Sequence, residues 1–136
     1  MEIRLADPTH REAVIATWEA AGLTRPWNDP AVDFDRACAG ETSAVLVGVE
    51  GGTVIATAMA GDDGHRGWVY YVAVREDARG RGLGRAMMAA AEGWLRARGV
   101  AKVQIMVRDT NEAVVGFYEA LGYEVTPVRV LGRWLA

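Results

Sequence analysis

The stretch Val69-Tyr70-Tyr71-Val72-Ala73-Val74-Arg75-Glu76-Asp77-Ala78-Arg79-Gly80-Arg81-Gly82-Leu83-Gly84-Arg85 decides how the chain is read. It opens as a buried strand, passes through a short polar turn, and ends in a Gly/Arg loop that starts a helix. Gly80, Gly82 and Gly84 leave backbone N–H groups uncovered by side chains. The following helix, entered at Leu83, points the positive end of its dipole at the loop. A phosphate or pyrophosphate suits such a mouth. Arg79, Arg81 and Arg85 add fixed positive charge, and a guanidinium pairs with phosphate through two parallel hydrogen bonds. Two nucleotide-binding patterns fail on spacing. A Walker loop needs Gly-Lys followed by Ser or Thr, and a dinucleotide fold needs its third glycine three positions after its second. Here Gly84 follows Gly82 by two, and position 85 is Arg.

Working outward, Glu2–Ala6 alternates as a half-buried strand, and Asp7-Pro8 reads as the cap and first residue of a helix. That helix should bury Ala13, Val14, Trp18 and Ala21 and stop at Gly22. A loop, Arg25–Pro30, leads into a second helix that begins at Asp29-Pro30, carries Val32, Phe34 and Ala37, and ends at Gly40. Ser43–Glu50 and Thr53–Ala60 form a hairpin about Gly51-Gly52. The turn 61–67 precedes the strand Trp68–Val74. A helix over Leu83–Arg98 turns Met87, Ala91, Trp94 and Leu95 inward, and a strand over Lys102–Val107 follows. Asp109 caps a short helix, with Glu112 three residues on as its partner. Tyr123–Thr126 and Val128–Leu135 read as closing strands. The order β-α-α-β-β-β-α-β-α-β-β predicts an α/β mixed sheet with helices on both faces, in a single domain over residues 1–136.

Composition narrows the classes. The chain has 136 residues, of which half are apolar, enough for a core without disulfides. Fifteen basic residues against 18 acidic ones leave a net charge of −3, which argues against a nucleic-acid surface. Cys38 is alone, in keeping with a reducing cytoplasm. The charged residues Glu2, Arg4, Asp7, Arg11 and Glu12 speak against a signal peptide, and no apolar run approaches membrane length. No metal-ligating cluster stands out.

The run Arg79-x-x-Gly82-x-Gly84 between strand and helix resembles the acetyl-coenzyme A loop of the GNAT N-acetyltransferase superfamily, Q/R-x-x-G-x-G/A. A second segment, Asn111…Phe117-Tyr118-Glu119-x-Leu121-Gly122-Tyr123, is similar to that family's late signature, and the element order is the family's own. Arg25–Pro30 and Asp63–Gly67 further resemble a bacterial YpeA-type subgroup. The resemblance implies an acetyl-coenzyme A-dependent N-acetyltransferase acting by direct attack in a ternary complex, with acetyl-coenzyme A as cosubstrate and a small-molecule or peptide amine as acceptor. It implies that the strand Tyr70–Val74 is splayed at a bulge, that the backbone of Val72 and Val74 pairs with the pantetheine arm, and that Arg79–Arg85 holds the diphosphate. Tyr118 becomes the general acid for the leaving thiolate. Asn111 either contacts the cofactor arm or caps its own helix.

The base is not evident. Members that acetylate lysine carry a Glu near the start of the fourth strand; the matching position here falls on or near Trp68. His65 is one substitute, with Asp29, Asp35, Asp62 and Asp63 as weaker ones. The acceptor site would involve Trp27, Asn28, His65 and Trp68, with Trp18 and Trp134 as further aromatics, a set that favours a cationic amine. The alternative to catalysis is a non-catalytic module that senses acyl-coenzyme A. The apolar late strands could pair between the subunits of a homodimer or finish one sheet.

Overall fold

The computed structural model describes residues 1–136. The chain forms two compact units, Met1–Met106 and Val107–Ala136, and each is described by itself.

The first unit is a five-stranded sheet in sequence order: β1 (Glu2–Leu5), β2 (Ser43–Glu50), β3 (Thr53–Asp62), β4 (Gly67–Val74) and β5 (Val103–Gln104). The first four strands pair antiparallel and β5 runs parallel to β4. The sheet is therefore mixed, as the element order implies. Gly51 and Gly52 have φ of 58° and 77°, the left-handed pair that a tight two-residue hairpin requires. Both faces of β2 and β3 are covered. Val45, Val47, Val49 and Val54 meet Val14 and Trp18 of α1 (Arg11–Ala20) and Phe34 and Ala37 of α2 (Pro30–Ala39). Ile55, one residue on and so on the opposite face, meets Leu83 of α3 (Leu83–Ala97). Helix α3 buries Leu83, Met87, Ala91 and Leu95 at four-residue intervals, with Met88 beside them.

Local chemistry sets several boundaries. Asp29 caps α2 by accepting from the N–H groups of Ala31 and Val32, and Pro30 takes the first helical position. Asp7 caps a 3-10 turn, Pro8–His10, and not the α-helix itself, which begins at Arg11. Val14, Trp18 and Ala21 pack inward as expected; Thr17 joins them, its hydroxyl satisfied by the Ala13 carbonyl at 2.7 Å, while Ala13 faces solvent. Val32 is likewise exposed. Trp94 is only half-buried, and Arg98 covers part of its ring at 4.7 Å.

The second unit holds one regular element, α4 (Glu112–Ala120). Its cap is Asn111, which accepts from the Val114 N–H at 3.3 Å, and not Asp109. The expected closing strands Tyr123–Thr126 and Val128–Leu135 do not form. Their apolar residues (Val125, Val128, Val130, Leu131, Trp134 and Leu135) are exposed. Alternation gives a segment strand character, but a ladder needs a neighbour, and none lies alongside in this unit. The expected strand 102–107 shrinks to Val103–Gln104 for a related reason, developed below.

Trp18 ties the first unit together. It is fully buried, donates from Nε1 to Thr57 Oγ1 at 3.0 Å and stacks on Tyr71 with ring centroids 3.9 Å apart. Trp18→Ala is expected to cost about 3–5 kcal/mol, read in a urea titration as a lower midpoint with an unchanged slope; a loss within experimental error would show that the cluster is not a keystone.

Candidate active site

Strand β4 carries an extra residue. Ala73 pairs with Thr57 and Tyr70 with Met59, so Tyr71 and Val72 together face Ala58. Tyr71 adopts φ of 52°, and no other non-glycine residue of the chain is left-handed. On the opposite edge β4 has a partner only over Gly67 and Trp68, which pair with Val103 and Gln104. Beyond Trp68 no strand completes that edge. Arg75 N–H donates across to the Ile55 carbonyl at 2.8 Å, so by alternation the Val74 N–H faces the open side. The bulge turns β4 and ends its pairing with β5, which accounts for the brevity of β5. An extended ligand can add itself to such an edge as a strand does.

Past β4 the chain makes one 3-10 turn (Glu76–Ala78) and enters the Gly/Arg loop. Gly80 and Gly82 have φ of 80° and 75°, so both positions need glycine, although a Cβ at either would meet no neighbour within 4 Å. No backbone N–H from Gly80 to Arg85 donates to another group of the chain; the first to do so is Ala86, to the Gly82 carbonyl at 3.1 Å. Six successive amides, four of them flanking or inside the first turn of α3, are thus free for an anion. Gly84 lies within that first helical turn and not in the loop proper.

The three arginines differ. Arg85 is exposed. Arg79 folds back, its Nε 3.4 Å from the Val74 carbonyl. Arg81 makes a two-pronged pair with Glu50 at the hairpin, 2.6 and 3.2 Å, which holds the Glu50 carboxyl below its usual range. A cleft of about 380 Å³ lies beside the end of β4, between Thr17 and Ala21 of α1 and Val74, Arg75 and Arg79.

Tyr71 is anchored on three sides. Its ring stacks on Trp18, its carbonyl accepts from Thr57 Oγ1 at 2.9 Å, and its hydroxyl donates to Asp33 Oδ2 at 2.7 Å. Burial, then the adjacent carboxylate, pushes the phenol well above the ordinary tyrosine range, so it stays a donor. Sequence reasoning passed over both Tyr71 and Asp33. Nothing marks a tyrosine for a left-handed backbone, and the partners are 38 residues apart.

The expected acceptor residues scatter. Trp18 is core. Trp27 is 58% exposed in its loop, and the Asn28 N–H closes a turn onto the Arg25 carbonyl. His65 is exposed in the turn before β4; its N–H donates to Asp63 Oδ1, and Trp68 Nε1 donates to Asp63 Oδ2 at 3.1 Å. The Arg66 backbone N–H, which donates to Asp63 Oδ1 at 2.7 Å, together with the His65 N–H and Trp68 Nε1, holds the Asp63 carboxyl low, which makes it a poor base. His65 and Trp68 sit at the opposite end of β4 from the Gly/Arg loop, roughly 20 Å along the strand. In the second unit Tyr118 is partly buried, edge-on to Phe117 and Tyr123 at 5.0 and 5.8 Å. Burial raises its phenol pKa.

A bulged, half-paired strand thus runs directly into a helix mouth with uncommitted amides, an arrangement that can receive an extended ligand with an anionic end. The chain matches the acetyltransferase (GNAT) family over residues 12–123. It is 44% identical over 135 residues to an acetyltransferase of Yersinia pestis, covering 99% of this chain and 96% of that one, and equally identical over the same spans to an acetyltransferase of Pectobacterium atrosepticum. Among solved structures, AAC(6')-Iy in complex with the bisubstrate analogue CoA-S-monomethyl-acetylneamine has the same fold, with a TM-score of 0.85 at 19% identity over 99% of this chain and 98% of that one. An Agrobacterium tumefaciens protein described as a putative acetyltransferase gives 0.83 at 22% identity, over 98% and 100%. This chain therefore belongs to the GNAT acetyltransferase family.

Gly82→Ala tests the loop. The forced φ should cost about 1–2 kcal/mol of stability, and the added methyl should weaken coenzyme A binding by about tenfold or more as the amides turn away, measured by calorimetry at a temperature where the variant is folded. Unchanged affinity would take the loop out of the binding site.

Proposed function

We propose that the protein moves an acetyl group from acetyl-coenzyme A to a primary amine of a small-molecule or peptide acceptor, by direct attack in a ternary complex. The row of six uncommitted amides between Gly80 and Arg85 carries this reading. The diphosphate of the cofactor binds them, with Arg79 and Arg85 as counter-charges and Leu83 anchoring the helix start in the core. The pantetheine arm lies along the open edge of β4, against the backbone of Val72 and Val74, and Asn111 meets the arm in addition to capping α4. At the bulge an unpaired N–H donates to the thioester oxygen as that oxygen gains charge.

The acceptor nitrogen attacks the carbonyl carbon, a C–N bond forms and the C–S bond breaks. The Tyr118 hydroxyl donates its proton to the departing thiolate, and the proton shed by the amine leaves through water. A phenol above its usual range is fully protonated at neutral pH, as that role needs. The cysteine is outside this chemistry: Cys38 sits near the end of α2, its thiol pushed up by burial. In this reading one GNAT domain spans the chain and acts in the cytoplasm, and the segments Arg25–Pro30 and Asp63–Gly67 support a YpeA-type subgroup.

Acetyl-coenzyme A should give a clear binding heat, and thiol release should depend on an added amine. Heat without amine-dependent release would leave an acyl-coenzyme A sensor as the remaining reading. Tyr118→Phe should lower kcat at least tenfold while the calorimetric affinity for acetyl-coenzyme A holds. The wild-type rate should also fall only above the ordinary tyrosine range, since deprotonation removes the acid, and the variant should lose that alkaline limb. Turnover that survives the substitution removes Tyr118 from the mechanism.

A further inference from the structure

Helix α2 and its cap carry three carboxylates, and two are accounted for. Asp29 caps the helix, and Asp35 forms a two-pronged pair with Arg11 at 2.8 and 3.0 Å. Asp33 is different. It is half-buried, no cation of the chain pairs with it, and its side-chain partner is the Tyr71 hydroxyl, a neutral donor, on Oδ2. A carboxylate with one neutral donor and no counter-ion keeps acceptor capacity for a cation. Its location is telling. Tyr71 is itself the bulge residue of β4, so Asp33 stands one tyrosine side chain from the open strand edge, on the face of the sheet covered by α1 and α2.

Resting on the acetyl-transfer reading above, we propose that Asp33 binds a second cationic group of the acceptor, so that the preferred substrates are primary amines bearing another ammonium, such as diamines and polyamines. The nitrogen that attacks must be neutral, and a carboxylate holding it as an ammonium would oppose attack. The charge at Asp33 therefore serves a nitrogen other than the reacting one. Tyr71 fixes one oxygen of the carboxylate and leaves the other for the ligand. The stacked Trp18–Tyr71 pair makes the position rigid, which limits the ordering cost of binding.

Two acceptors of matched length, butylamine and 1,4-diaminobutane, test the assignment through amine-dependent thiol release and through calorimetric binding without turnover. The wild type should favour the diamine in kcat/KM by about tenfold or more, as expected for one charge-assisted contact. That preference should shrink at high salt. Asp33→Asn keeps an oxygen for the Tyr71 hydroxyl and removes the charge; the ratio should fall to about one, through KM for the amine and not KM for acetyl-coenzyme A. Tyr71→Phe removes the anchor and keeps the charge, so its ratio should stay above one, and Glu19→Gln, at an exposed position of α1, should match the wild type. Equal use of both amines by the wild type, or an Asp33→Asn variant that retains the preference, overturns the proposal. A ratio lost in Tyr71→Phe and kept in Asp33→Asn would also overturn it, in favour of a packing role. Charge-dependent diamine binding with no thiol release from any amine would sustain the Asp33 site and sink the transferase reading instead.

Discussion

The functional architecture of this chain rests on a single inserted residue. With Tyr71 and Val72 together opposite Ala58, β4 cannot keep register with both neighbours. It keeps β3 and gives up β5 after two residue pairs. The edge so released is a row of backbone donors and acceptors in the middle of a sheet, a place where they are ordinarily consumed. The left-handed backbone at Tyr71 is strained for a side chain of that size, by about 1–2 kcal/mol. It persists because Trp18, Thr57 and Asp33 each hold a different part of the residue. Strain retained by such over-determination is a mark of a working site and not of a scaffold.

The same strand delivers the chain to the helix mouth. A strand that ends in a short turn and a loop with two obligatory glycines has nowhere to bury its amides, and α3 begins before they are paired. Edge and mouth are therefore consecutive in sequence. The rest of the unit, from the β2–β3 hairpin to the helices on either face, keeps that one passage of chain stiff.

Much of this could be read from local signals. Asp29-Pro30 and Gly40 bound α2, Gly51-Gly52 turns the hairpin, and the Gly/Arg loop announces its helix because each signal acts within a few residues. The bulge was legible only through the resemblance, since β-branched and aromatic residues read alike in regular and bulged strand. The Tyr71–Asp33 bond escaped because two ordinary residues 38 apart carry no pattern. Alternation misled at the end of the chain, where strand-like residues lack a strand to pair with. In α1 the helical period held for Val14, Trp18 and Ala21 and missed only at Ala13, which faces solvent while Thr17 is inside.

The pairing of Arg81 with Glu50 has a consequence for recognition. A guanidinium already held in two hydrogen bonds by a carboxylate gives a phosphate only the difference between two acceptors. Arg81 is thus a discounted contact, and selectivity for a doubly charged group over a weaker anion grows, because a singly charged visitor has less with which to displace Glu50. On the proposed reading, the β2–β3 hairpin therefore sets how much Arg81 can add to anion binding that the free amides already offer.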